Sequence, residues 1–224
     1  MERKKGFTLS ETLITLAVLG IIIAATIPNL INTTNEHNYV NGLKKAYLIL
    51  KTATSQIMTD NSGTMLKIAG NSSELLDKYC TRLNCVKKCS IGTSGCFFSP
   101  NVNNLQGNYL GWDIMIVPTA ILSNGMLIAM SLANPNCTGG VDNSYVDNGV
   151  NIACGSFWVD VNGFNPPNRF GRDVFIFRIT SKGLFPDGLK GFTPWSTYCD
   201  TSSIDSINGV ACSGRILTEG TMNY

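Results

Sequence analysis

The sequence predicts an α+β protein in which one long N-terminal helix packs on an antiparallel sheet of about four strands. The first sixty residues follow a helical pattern, and from Gly111 onward short apolar runs alternate with turns rich in Gly, Asn and Pro. Eight cysteines, all of them after Tyr79, predict loops pinned by disulfides. The chain of 224 residues is long enough for one globular domain with its own core after the helix.

The helix opens with an apolar run, from Leu13 to Ile27, that can cross a membrane. About 20 apolar residues, each rising 1.5 Å, span a hydrocarbon core of roughly 30 Å. Arg3, Lys4 and Lys5 stand before the run. By the positive-inside rule the N-terminus stays in the cytoplasm, and the rest of the chain lies across the membrane.

After Asn35 the helical pattern becomes amphipathic, which predicts that the second half of the helix lies on a domain. One apolar stripe recurs every three or four positions: Val40, Leu43, Tyr47, Leu50, Thr54 and Ile57. The helix is expected to end near Thr59, before Asp60-Asn61-Ser62-Gly63. It then has about 50 residues and is roughly 75 Å long. Pro28 removes one backbone donor and predicts a kink.

Glu11 places a carboxylate at the mouth of the apolar run, where a charge is unfavourable and needs a partner. The segment from Gly6 to Glu11 reads Gly-Phe-Thr-Leu-Ser-Glu and follows a short basic leader. This pattern resembles the N-terminus of type IV prepilins and of the pseudopilins of type II secretion. The resemblance covers about the first 30 residues and includes Pro28, where the helix of that family bends.

The resemblance implies a processing and assembly route for this chain. A prepilin peptidase cuts after Gly6, the new N-terminal Phe7 is methylated, and Glu11 becomes the fifth residue of the mature chain. In the fibre, the carboxylate of Glu11 is expected to pair with the amine of a neighbouring subunit. The expected divisions are therefore a leader at 1–6, a transmembrane and amphipathic helix at 7–59, and a globular pilin-like head at 60–224.

The implied function is that of a structural subunit of a type IV pilus or a type II secretion pseudopilus. Its implied partners are other pilin or pseudopilin subunits, the prepilin peptidase, and an inner-membrane assembly platform with its ATPase. The subunit would sit in the bacterial inner membrane before assembly and in a periplasmic or extracellular fibre afterwards. Two alternatives stay open: a minor tip pilin of a DNA-uptake or secretion machine, and a single-span membrane-anchored binding domain that never polymerises.

Two plainer interpretations of the N-terminus explain less. A secretory signal peptide has an apolar core of about 7–15 residues and a small-residue cleavage site at its end, and no good site of that kind is present here. A simple single-span anchor leaves Gly6, Phe7 and Glu11 without a role.

The even number of cysteines in an exported domain predicts disulfides. The sequence predicts the pairs Cys137–Cys154 and Cys199–Cys212, since each closes a short polar loop. The other four are expected to pair among themselves in one of three ways: Cys80, Cys85, Cys89 and Cys96. A zinc site is the alternative, but the chain has no Cys-x-x-Cys and a single histidine.

Charge and motifs exclude several classes of function. Charged residues are 14% of the chain, and its formal charge of +2 is accounted for by the three basic residues of the leader and Glu2. No basic run follows Lys88, so general nucleic-acid binding is not indicated. One histidine and no glycine-rich phosphate loop give catalysis and nucleotide binding little support. We therefore predict a protein that is not an enzyme and requires no cofactor.

One connection is a candidate calcium site. Asp160, Asn162 and Asp173 lie within 14 residues of each other, with Gly163 among them to permit a sharp turn. Carboxylate, amide and backbone oxygens are the ligands that Ca²⁺ prefers. The alternative, which the residues favour, is a turn stabilised by Asn and Asp side chains without a metal.

The sheet is expected to begin after an irregular region, residues 60–110, in which Ser72 or Ser73 caps one short helix. Asn124-Gly125 predicts a hairpin, because this pair tolerates the positive φ angles of a two-residue turn. In the last strand, the alternating set with Phe175 and Phe177 is expected to face the long helix. The expected strands are Trp112–Val117 as a strand or buried turn, the two arms of the hairpin, Phe157–Val161 and Val174–Thr180.

Overall fold

The structure is a computed structural model that describes residues 8–98, 101–138, 153–189 and 194–224. The chain separates into two compact units, Met1–Asn38 and Tyr39–Tyr224, and helix α1 contributes residues to both. The helices are α1 (Leu9–Asp60), α2 (Ser72–Leu83), α3 (Trp195–Tyr198) and α4 (Cys212–Glu219). The strands are β1 (Cys85–Cys89), β2 (Asn101–Asn103), β3 (Tyr109–Asp113), β4 (Thr119–Leu122), β5 (Leu127–Leu132), β6 (Ala153–Asp160), β7 (Val174–Thr180) and β8 (Gly183–Pro186).

The first unit contains the apolar part of α1. Leu9–Ile27 is a stretch of 19 residues that is long and apolar enough to cross a membrane, and its side chains are exposed throughout. A helix that is apolar all round and exposes these side chains in the described structure needs an apolar environment. The predicted apolar helix is therefore confirmed.

The second unit is built on an antiparallel sheet with six strands in the order β1-β4-β5-β6-β7-β8. The α+β class and the antiparallel pairing are confirmed, but the predicted number of about four strands is wrong. The strands that the pattern did not indicate are the two edges: β1, which reads Cys-Val-Lys-Lys-Cys, and β8, which ends in Pro186. Lysine and proline are common on edge strands because the outer side of an edge faces water, and they hide the strand pattern.

The central hairpin forms where Asn124-Gly125 predicts it. Gly125 has a φ of +85°, and its N–H donates to Leu122 O at 2.9 Å. Asn124 Oδ1 accepts from Met126 N at 3.1 Å. The turn thus fixes the register of β4 on β5.

The second half of α1 packs on one face of the sheet, as its stripe predicts. Leu43 and Leu50 are fully buried in one cluster with Phe175 and Phe177 of β7. The ring of Tyr47 stacks on that of Phe177, with centroids 5.8 Å apart. The predicted orientation of this set of β7 side chains is confirmed.

The opposite face of the sheet is also buried, which the sequence analysis did not anticipate. Val174 and Ile176, the alternate side chains of β7, belong to a second apolar cluster with Phe170 and Val210. Residues of the two-stranded sheet β2-β3, such as Val102 and Leu110, and residues between α3 and α4, such as Val210, pack on this face of the sheet. Both faces of the six-stranded sheet are therefore covered within the second unit.

Two local predictions need correction. The cap of α2 is Asn71, whose Oδ1 accepts from Glu74 N at 2.9 Å, and neither Ser72 nor Ser73 serves as the cap. Asn accepts this bond as well as Ser does, and Glu74 in turn accepts from Gly70 N, so both ends of the motif are satisfied. The expected strand from Trp112 is a strand only to Asp113, where β3 ends, and a single 3₁₀ turn follows.

Four disulfides tie the loops of the second unit to its helices and strands. The structure holds the two pairs expected for the polar loops, Cys137–Cys154 and Cys199–Cys212. It resolves the other four cysteines into the pairs Cys80–Cys85 and Cys89–Cys96. No cysteine is left free for the zinc alternative.

Candidate functional site

The N-terminal turn of α1 is closed by Thr8 and Glu11, the described part of the predicted assembly motif. Glu11 Oε2 accepts from both the backbone N and the hydroxyl of Thr8, each at 2.8 Å. Thr8 Oγ1 accepts in return from Glu11 N at 3.3 Å. This is a reciprocal capping box, and the Thr-x-x-Glu spacing in the sequence is the signal that indicates it.

The threonine hydroxyls within the apolar helix are satisfied by carbonyl groups of the helix itself. Thr12 and Thr15 each donate to a carbonyl one turn earlier, at 3.1 and 3.0 Å, and Thr26 donates to Ile22 O at 2.8 Å. Such bonds let a hydroxyl lie in an apolar environment without an outside partner. Glu11 is thus the one ionisable residue of Leu9–Ile27, and its present partner is Thr8.

Of the other residues in the predicted motif, the structure describes only the backbone at Pro28. Gly6 and Phe7, the predicted cleavage and methylation positions, lie outside the described residues. The backbone of α1 is helical through Pro28, and a bend at that residue stays a prediction.

The candidate calcium residues come together where β6 ends and β7 begins. Asp160 and Asp173 are both fully buried, and Val161 N donates to Asp173 O at 2.9 Å across the connection. Asp160 Oδ1 accepts from Asn162 N at 3.0 Å. Asp173 accepts from the backbone N–H groups of Asn168 and Arg169, at 2.9 and 2.8 Å. The turn stabilised by Asp side chains, the favoured alternative, is therefore present.

The turn leaves several buried oxygen atoms without a donor. Asp160 Oδ2, Asn162 Oδ1 and Asn168 Oδ1 are buried and accept no hydrogen bond in the described chain. Burial, and then the charge of Asp173, raises the pKa of Asp160 to about 9. Burial also raises the pKa of Asp173, although its backbone hydrogen bonds oppose that rise. An unpaired buried polar atom is unfavourable, and this connection holds three such acceptors and one such donor, Arg169 Nε.

The residues present fit a hard cation only in part. The described chain contains no group of three or more His, Cys, Asp or Glu side chains arranged to hold a metal. Two carboxylates, two amide oxygens and water are nevertheless oxygen ligands of the kind that Ca²⁺ takes. Asn168, which the sequence analysis did not single out, joins this set because its φ of +53° turns the chain back toward Asp173. Tyr39 lies beside the pair, and its pKa is raised by burial and by the charge of Asp173.

Comparison with known proteins yields one match, at the N-terminus. Residues 1–27 match the family model of the prokaryotic N-terminal methylation motif. No curated protein matches the chain, and no solved structure does. The matched segment includes Gly6, Phe7 and the capping box of Thr8 and Glu11. The N-terminus of this chain is therefore the leader motif of type IV pilins and pseudopilins, followed by the apolar helix that such a membrane-anchored precursor needs.

Proposed function

We propose that this chain is a structural subunit of a type IV pilus or a type II secretion pseudopilus. The observation that carries the proposal is the methylation motif joined directly to an apolar helix with exposed side chains. The precursor sits in the inner membrane with its N-terminus in the cytoplasm, and a prepilin peptidase removes residues 1–6. An assembly platform with its ATPase then polymerises the mature subunits through α1.

The apolar helix suits both stages of this route. Lipid surrounds its exposed side chains before assembly, and the helices of neighbouring subunits replace the lipid in the fibre. Because the threonine hydroxyls bond within the helix, moving it from lipid to fibre leaves them satisfied. Only Glu11 gains a new kind of partner on assembly.

Glu11 acts in this proposal as the group that sets the register of assembly. Cleavage at Gly6 gives Phe7 a protonated amine, which is a stronger partner for the carboxylate than the neutral Thr8. Two unit charges about 4 Å apart attract by roughly 4 kcal/mol at an effective dielectric of about 20, and desolvation offsets part of this gain. A subunit out of register leaves both charges unpaired in an apolar environment, so the pair selects one register.

The test is the Glu11→Leu variant, with Thr15→Leu as its control. Both changes make the helix more apolar, but only the first removes the carboxylate. We expect Glu11→Leu to insert and to lose residues 1–6, yet to enter fibres poorly, whereas Thr15→Leu assembles. Intact mass of the mature subunit and the yield of sheared fibres measure the two steps. Fibre yield from Glu11→Leu equal to that of the unchanged chain would refute the role of Glu11.

The two alternative functions differ from the proposal in simple observables. A minor tip pilin of a DNA-uptake or secretion machine is present at a few copies per fibre, so its stoichiometry in sheared fibres separates it from a major subunit. A single-span binding domain that never polymerises would stay in the membrane fraction and keep its leader. The motif is typical of structural proteins, and a hydrolase screen of Tyr39–Tyr224 is the corresponding test of the prediction that the chain is not an enzyme.

We further propose that the connection between β6 and β7 binds a divalent cation, Ca²⁺ by its oxygen chemistry. The three buried oxygens without donors, on Asp160, Asn162 and Asn168, support this proposal over a purely structural turn. Such a site would hold the end of β6 against the start of β7, so its role would be to stabilise the fold and not to catalyse a reaction. We expect a chelator to lower the melting temperature, and Asp173→Ala to abolish that effect. If the melting temperature of the unchanged chain is the same with excess Ca²⁺ as with a chelator, the connection is a structural turn that binds no metal.

A further inference from the structure

A groove lies between the second half of α1 and the edge strand β8. Its volume is about 400 Å³. Its lining combines four apolar side chains (Tyr47, Met58, Leu184 and Phe185), two lysines (Lys51 and Lys182), and hydroxyl residues of α1 between Thr54 and Thr59. A concave apolar surface with charges at its rim is the usual form of a site that accepts one side chain of a partner.

The groove is open to a partner and positively charged. β8 is the last strand of the six-stranded sheet, so one side of its backbone pairs with no strand among the described residues, and its own Phe185 is 39% exposed. From Tyr39 to Thr59, the charged residues of α1 are three exposed lysines: Lys44, Lys45 and Lys51. A partner that fits this surface is therefore apolar at its tip and acidic at its sides.

The loop of residues 200–206, between α3 and α4, has this chemistry. Ile204 at its tip is 100% exposed, the largest exposure of any large apolar side chain in the described chain. Asp200 and Asp205 stand on either side of it, and the loop contains no basic residue. Neither carboxylate makes an ion pair within 4.0 Å in the described structure, although hydrogen bonds within the loop, and then the charge of Arg215, lower the pKa of Asp200.

The loop holds Ile204 out in a fixed conformation. The Cys199–Cys212 disulfide closes its base. Asp200 Oδ1 accepts from Ser202 N at 2.8 Å, and Asp205 Oδ1 accepts from Ile207 N at 2.9 Å. Each aspartate thus uses one oxygen to shape the loop and keeps the other for a partner. A rigid loop binds with less loss of conformational entropy than a mobile one.

We propose that loop 200–206 of one copy of this chain docks in the groove of a second copy. Ile204 enters between α1 and β8, and Asp200 and Asp205 face Lys51 and Lys182. Within the described residues no hydrogen bond or ion pair joins this loop to α1 or β8 of its own chain. The two surfaces are different, so the contact is head-to-tail, the kind of interface from which a filament can be built. This inference rests on the proposed fibre and names a contact between its globular parts.

Photo-crosslinking in fibres made from the full chain tests the contact. Ile204→p-benzoylphenylalanine places a photoreactive group at the tip of the loop. We expect it to crosslink to residues 47–59 or 182–185 of another copy, which mixed isotopically light and heavy subunits distinguish from its own chain. Crosslinks that form within one chain, or to any other surface, would overturn the proposal.

Two further variants test the chemistry with matched controls. Ile204→Ser should lower fibre yield about tenfold, since burial of this side chain is lost, whereas Ile91→Ser, which also changes an exposed isoleucine, should not. Lys51→Gln with Lys182→Gln should lower the yield and make it less sensitive to salt. Lys78→Gln, on the exposed side of α2, is the control for the lost charge.

The outcomes separate this inference from the function on which it rests. If the unchanged chain enters no fibre under any condition, the proposed function fails and the contact fails with it. If the unchanged chain forms fibres and Ile204→Ser and the double lysine variant form them equally well, the function stands and the contact is wrong.

Discussion

Replacing Asp160 by Asn should stabilise the second unit when no calcium is present. Asp160 is fully buried, its Oδ2 has no hydrogen-bond donor, and burial with the charge of Asp173 raises its pKa from 3.8 to about 9. The unfolded chain, by contrast, exposes an ordinary aspartate that is ionised at neutral pH. Folding at pH 7 must therefore transfer a proton to Asp160 or bury its charge.

The size of the effect follows from the two pKa values. Between pH 4 and pH 9 the folded chain holds one more proton at Asp160 than the unfolded chain does, so the free energy of unfolding falls as pH rises. At pH 7, about three pH units above the pKa in the unfolded chain, this loss is at most about 4 kcal/mol. Asn at position 160 is neutral at every pH and avoids the loss. Asp160→Asn should thus equal the unchanged chain near pH 4 and exceed its stability by up to about 4 kcal/mol at pH 7.

The assay is denaturant unfolding of Tyr39–Tyr224 between pH 4 and pH 9, with chelator and with Ca²⁺. Asp200→Asn is the control, because Asp200 is a loop aspartate whose pKa is lowered by hydrogen bonds from Ser202, and its neutralisation should leave the slope above pH 5 unchanged. Added Ca²⁺ should stabilise the unchanged chain more than it stabilises Asp160→Asn, since the variant replaces a charged carboxylate ligand by a neutral amide oxygen. A variant that is less stable than the unchanged chain at pH 8 with chelator would refute the argument from burial.

Three other perturbations have expected outcomes. Gly6→Val should keep the leader attached, and an intact mass that shows loss of residues 1–6 would contradict the cleavage site. Leu50→Ala, in the fully buried stripe of α1, should lower the free energy of unfolding by about 2–5 kcal/mol, whereas Leu48→Ala on the exposed side should change it by less than about 0.5 kcal/mol. Arg178→Ala leaves the buried carboxylate of Asp187 without its 2.6 Å ion pair and should cost about 3–5 kcal/mol in a chemical denaturation series.

The sequence predicted those elements whose pattern is local. The apolar helix, the stripe of α1, the hairpin at Asn124-Gly125 and the strand from Val174 each follow from the periodicity or turn chemistry of a few neighbouring residues. The Thr8–Glu11 capping box is equally local, and its spacing was sufficient to find it. Such features need no knowledge of what packs against them.

The missed features depend on contacts between distant segments. β1 is a strand because it pairs with β4, and its two exposed lysines give no alternation that would indicate this. The second face of the sheet is buried by chain segments that no periodicity connects to it. Asp160, similarly, is unusual because the fold buries it beside Asp173 without enough donors, and a sequence shows neither burial nor the supply of donors. The candidate residues could be named in advance, but their electrostatics could not.

The order of the disulfides has a consequence for how the chain would mature in the proposed route across the membrane. Each bond joins a cysteine to the next cysteine along the chain, with sequence separations of 5, 7, 17 and 13 residues. An oxidase that acts on thiols as they emerge from the translocation channel therefore makes each native bond from the first two free cysteines that it meets. No earlier cysteine has to wait for a later partner, and no non-native bond has to be reshuffled, a step that takes seconds to hours. In the proposed route, the chain could thus complete its covalent structure while its N-terminal helix is still in the membrane, before it contacts a neighbouring subunit.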